Sequence, residues 1–117
     1  MLRLGEAALK RKQYRSALIH FEEAVTLNPQ EPEYYSYLAW VTFLAGVGPK
    51  EDRARAAQKV LRKALSLNPY LERALIISAI IDSEMNDGSV ARKKLLKVLE
   101  LNPNSQLAKA ALRKVGR

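Results

Sequence analysis

A chain of 117 residues with 48% hydrophobic and 27% charged side chains can build one globular core, and its composition is not that of a disordered segment. It has no cysteine, which excludes disulfides and thiolate metal sites, and its net charge is +8. Residues 1–49 hold five basic and five acidic side chains while residues 50–117 hold fifteen and seven, so the basic excess belongs to the second half.

The opening "MLRLGEAALKRKQY" turns charged too soon for the apolar core of a secretory signal and predicts a helix over about 2–12. A second helix over 15–27 stops at Leu27-Asn28-Pro29, and a third is expected over 33–45. The segment "AGVGPKED" (45–52), with two glycines and a proline, reads as a loop. A helix over 50–67 stops at Leu67-Asn68-Pro69, followed by helices over 71–86 and 89–101, the last stopping at Leu101-Asn102-Pro103. A final helix over 105–115 follows Asn104-Ser105, a possible N-cap. The longest apolar run, "ALIISAII", falls far below the roughly 18 residues that span a bilayer.

The stop signal therefore occurs three times. Asn28 to Asn68 is 40 residues and Asn68 to Asn102 is 34, so six extra residues near 45–52 bring the units into register. Before each Asn-Pro the same offsets hold small or apolar side chains: Ala17, Phe21, Ala24; Ala57, Leu61, Ala64; Ala91, Leu95, Val98. Spacings of four and three keep these on one helix face, and proline, lacking an N–H, ends each helix.

This pattern resembles the tetratricopeptide repeat family. The first unit carries the family's Leu4-Gly5 pair, Tyr14, Ala17, Phe21, Ala24 and Pro29; the second keeps Tyr35, Leu38 and Ala39. The third departs, with Ser78 for the usual Leu, Asp82 where an aromatic is common and Gly88 for the turn Tyr. The resemblance implies an all-α, right-handed superhelical stack. Three hairpins (1–32, 33–70 with a loop insertion near 45–52, and 71–104) would be closed by a capping helix at 105–117. Met1 falls about one turn inside the first helix of that pattern, so the chain is expected to be a fragment of a larger protein.

No residue set points to catalysis. His20, the sole histidine, has no recurrently spaced partner, Gly46 and Gly48 lack the Lys-Ser/Thr of a phosphate loop, and adjacent carboxylates such as Glu22-Glu23 suit solubility. The expectation is no enzyme, no metal and no cofactor, in a cytoplasmic protein.

In this family the first helices of the hairpins line a concave, peptide-binding groove. The resemblance places Tyr37, Trp40, Phe43, Leu44, Arg73, Ile76, Ile77 and Ile80 there, with Leu2, Glu6, Leu9 and Lys10 from the first unit. A family subset clamps acidic chaperone tails with Lys and Asn at positions that look like Leu2, Glu6, Tyr37, Arg73 and Ile77 here. Only Arg73 keeps the charge, so such tails are not the expected partner. "YLAWVTFLAG" and "ALIISAIIDSEM" are apolar almost all round, which points to an apolar or amphipathic peptide or helix in the groove. The alternative is self-association within a larger protein. Lys59, Arg62, Lys63, Arg92, Lys93, Lys94 and Lys97 should face outward as a basic surface for an acidic partner or nucleic acid. Without interleaved aromatics, nucleic acid is the least favoured reading.

Overall fold

The computed structural model describes residues 2–115, with side chains from residue 5 onward. Seven helices follow one another: α1 (Leu2–Lys10), α2 (Tyr14–Leu27), α3 (Pro32–Ala45), α4 (Lys50–Leu67), α5 (Glu72–Glu84), α6 (Gly88–Leu101) and α7 (Gln106–Val115). The expected all-α stack of three hairpins and a closing helix is what forms.

The repeated Leu-Asn-Pro acts the same way each time. The Asn28, Asn68 and Asn102 N–H groups donate to the carbonyls of Ala24, Ala64 and Val98 at 2.9, 2.9 and 2.7 Å, completing the last turn. Each Asn carbonyl then accepts the N–H three residues on, from Glu31, Leu71 and Ser105, all at 3.1 Å. In two copies the Asn side chain also accepts a backbone N–H two residues on, from Tyr70 at 3.0 Å and Asn104 at 3.2 Å. That Asx-turn explains why asparagine precedes the proline. Ser105 caps α7, its Oγ accepting the Ala108 N–H at 3.1 Å while donating to the Glu72 carboxylate.

The aligned small and apolar positions form the interior. Ala17, Phe21 and Ala24, with their equivalents in α4 and α6, are all at most 1% exposed. Gly5 permits the closest approach: a Cβ there would lie 2.7 Å from Phe21 Cζ. Phe21 in turn stacks on Tyr37 with ring centroids 5.0 Å apart. α5 packs on α3, α4, α6 and α7, which is why its sequence is apolar all round.

The six extra residues of the second unit are not mainly loop. α4 has 18 residues where α2 and α6 have 14, so most of the insertion is an added N-terminal turn, Lys50–Arg53. The connection itself is only residues 46–49, with Gly48 at φ +98°. Arg53 anchors the added turn, donating to the carbonyls of Phe43 at 2.8 Å and Gly48 at 3.2 Å. Glu51 and Asp52 at the helix start face the positive end of its dipole, which favours helix over loop there.

Ser78 and Asp82, the departures from the family pattern, join three helices. Lys94 Nζ of α6 donates to Asp82 Oδ2 at 2.6 Å and to Ser78 Oγ at 2.7 Å. Ser78 Oγ donates to Gln58 Oε1 of α4 at 2.7 Å, and Gln58 Nε2 donates back to Asp82 Oδ1 at 3.0 Å and the Ser78 carbonyl at 3.2 Å. An aromatic's packing is replaced by a closed polar network in which every member has a partner.

Candidate functional site

In the odd-numbered layer α5 touches both α3 and α7 directly, while the even helices contact mainly the odd layer. The stack therefore curves with the odd layer inside. On that inner side lies a cleft of about 370 Å³ between α3, α5 and α7. Trp40, Ile76 and Ile80 form its floor and one wall, and Leu107, Ala111 and Val115 form the other, with Ser83, Glu84 and Lys114 at the rim. Trp40 is half-buried, its ring 6.2 Å from that of Phe43, and Leu107 is 62% exposed. A neighbouring hollow of about 260 Å³ shares Ile76 and Leu107 and adds Glu33, Leu71, Glu72 and Arg73.

Beside this apolar stretch sits a polar station. Arg73 Nε donates to Glu33 Oε1 at 3.0 Å, and its guanidinium lies 4.6 Å from the centroid of the Tyr37 ring. Burial chiefly pushes the Tyr37 phenol above its ordinary value, with nearby Glu6 adding to the shift and Arg73 opposing it. Arg73 is thus already engaged on two sides.

The residues expected to line the groove do not all come together. Trp40 and Ile80 meet in the cleft, while Tyr37 and Arg73 meet in the polar station. Leu44 is half-buried and lines neither hollow. Phe43 and Ile77 are core: they are 6% and 8% exposed and pack with Ala57 and Leu61 against α4. Ile76 is only 5% exposed because α7 lies over it, so it floors the cleft without an open face. Counting α5 as having a free face makes Ile76 and Ile77 accessible, but α7 covers one side and α4 the other. The side chains of Leu2 and Leu4 lie outside those described. Glu6 and Lys10 are exposed and Leu9 is half-buried.

The closing helix was the missing wall. Leu107, Ala110 and Lys114 of α7 reach the cleft although α7 read only as a cap. Their signal was faint: Leu107 and Ala110 stand one residue off the buried Ala108 and Ala111 stripe.

On the outer side, Lys59, Arg62, Lys63, Arg92, Lys93 and Lys97 are exposed as expected. Lys94 is not part of that surface, because Ser78 and Asp82 draw it inward. Among the described residues no His, Cys, Asp or Glu side chains gather as a metal set, and no helix is long and apolar enough to cross a membrane.

Comparison with known proteins places this geometry. Residues 1–31 match the tetratricopeptide repeat family model. No curated protein matches the chain by sequence. The fold is similar to the Arabidopsis OM64 tetratricopeptide domain, at 25% identity and a TM-score of 0.78, over 97% of this chain and 88% of that one. It is similar to the second such domain of human RPAP3, solved with an HSP70 peptide, at 18% identity and TM-score 0.76, over 97% and 89%. The thermophilic tetratricopeptide protein TTC0263 of Thermus thermophilus matches at 18% identity and TM-score 0.86, over 96% of this chain and 60% of that one. The first unit matches the family model, and the whole chain has the tetratricopeptide repeat fold.

Proposed function

We propose that this tetratricopeptide stack is a protein-interaction module whose inner cleft seats a large apolar side chain of an amphipathic peptide or helix. The observation that carries this reading is the cleft itself: a concave, mostly apolar hollow floored by a half-buried tryptophan and left uncovered along the exposed Leu107. Its rim carries Lys114 and a Glu84 already paired with Lys50 at 3.0 Å, so Lys114 favours an acidic residue beside the anchor. Trp40 is the kind of aromatic that carries interface energy.

An acidic chaperone tail is a poorer fit, although the second tetratricopeptide domain of human RPAP3 was solved in complex with one such peptide. The positions resembling the family's clamp hold Glu6 and Tyr37, Ile77 is buried, and Arg73 is engaged by Glu33. A carboxylate arriving there would have to displace Glu33 and face Glu6.

Peptide display against the purified chain tests this. Selected sequences should share one or two large apolar residues at helical spacing, and Ala110→Glu at the cleft edge should abolish their binding while leaving the HSP70 peptide SGPTIEEVD a non-binder. Selection of acidic C-terminal tails that depend on Arg73 would contradict it.

A further inference from the structure

The outer faces of α2 and α6 differ in the sign of their charge, most directly at the equivalent positions Glu23 and Lys97. In α2 the outward row is Ile19, Glu22, Glu23 and Leu27; in α6 the matching row is Lys93, Leu96, Lys97 and Leu101, with Glu100 at the place of Thr26 as its one acidic member. Both rows combine charge with apolar side chains that nothing in the fold covers: Ile19 and Leu27 are 57% and 62% exposed, Leu96 and Leu101 45% and 51%. The α2 row forms a shallow hollow with Thr26. No ion pair within 4.0 Å involves Glu22, Glu23, Lys93, Lys97 or Glu100 among the described residues. Lys94, the neighbouring cation, is held internally by Asp82, so it adds no charge to the row.

We propose that these two rows are the halves of one contact between copies of this chain: the α6 row of one molecule docks on the α2 row of the next. Glu22 and Glu23 flank the shallow hollow that Ile19 and Leu27 also line, so an α6 set against α2 can bring the long Lys93 and Lys97 side chains to these carboxylates while Leu96, between them in sequence, enters the hollow. Charge complementarity selects the second copy as the occupant. A nucleic acid would satisfy the lysines but would leave Leu96 and Leu101 without a partner, and neither row carries an aromatic on which a base could stack.

The contact is heterologous. A closed back-to-back dimer pairing both rows at once would set the α4 row, Lys59, Arg62 and Lys63, against its own copy, which like charges oppose. Each molecule therefore offers one donor and one acceptor row, and association should grow along a chain of copies without closing at two. The surfaces are small, so the assembly should be weak and salt-sensitive. This inference is independent of the inner cleft.

Sedimentation of the whole chain at low salt tests it. The weight-average mass should climb past that of a dimer as concentration rises toward roughly 1 mM, and should fall back to the monomer at about 0.5 M salt. Glu22→Lys/Glu23→Lys and Lys93→Glu/Lys97→Glu should each stay monomeric while keeping the parent's circular dichroism. Mixing the two double variants should restore association, since each then offers the row the other needs. A parent that stays monomeric, a mass that stops at a dimer, or variants that associate like the parent would overturn the proposal. So would a single-stranded RNA oligonucleotide that binds the lysine row more tightly than a second copy does.

Discussion

Individual side chains set how closely the first hairpin closes. A Cβ at residue 5 would press into the Phe21 ring, which is itself pinned against Tyr37. Gly5→Ala should therefore cost about 1–3 kcal/mol by overpacking, read as a lower denaturation midpoint. Ala57→Leu should cost a similar amount of about 1–3 kcal/mol, since Ala57 is fully buried between α4 and its neighbours. Lys12 offers the opposite sign. It turns the chain between α1 and α2 at φ 60°, a left-handed conformation that side chains with a Cβ resist. Lys12→Gly should stabilise by up to about 1 kcal/mol, whereas the equivalent Asn86 at φ 64° already suits its turn and should gain less from the same change. Equal responses at the two positions would show that the backbone conformation is not the cause.

Among the elements, α4 and α7 depart most from a plain repeat. The added turn of α4 rests on Arg53, whose guanidinium satisfies two carbonyls of the preceding segment. Arg53→Ala should cost about 1–3 kcal/mol, more than the loss of the exposed Arg55–Asp52 pair beside it, which should cost at most about 1 kcal/mol. If both variants unfold at the same midpoint, the turn is not anchored as described. Lys94→Met tests the junction of α4, α5 and α6: it leaves Asp82 bound only by Gln58, and Asp82→Ala added to it should recover part of the stability lost. The helix ends and the aligned core of these elements could be read from Leu-Asn-Pro and from the offsets at Ala17, Ala57 and Ala91, because those are local signals with fixed spacing. The polar network could not be read, because it joins residues 58, 78, 82 and 94, whose proximity depends on the stacking of separate helices. The same limit misplaced Phe43, Ile76 and Ile77. Periodicity shows which residues share a face but not which neighbouring helix covers it, and α7 covers one that read as free.

For the whole molecule, the curvature of the odd-numbered layer turns separate apolar positions on three helices into one cleft, and leaves the even-numbered layer to carry the charge. On the proposed function, Trp40 is where stability and recognition should separate. A fully buried tryptophan cut to alanine costs about 3–5 kcal/mol of stability, but Trp40 is half-buried and faces the opening. As the sole tryptophan, it also reports directly on the cleft, so a peptide seated there should shift its fluorescence. The deciding measurement is Trp40→Ala assayed twice on one preparation, by thermal unfolding and by affinity for a display-selected peptide. The fold should lose less than about 2 kcal/mol while peptide affinity falls roughly 30-fold or more, equivalent to about 2 kcal/mol at a central aromatic. A variant that unfolds at the parent's temperature and binds the peptide with the parent's affinity would show that recognition does not pass through this cleft.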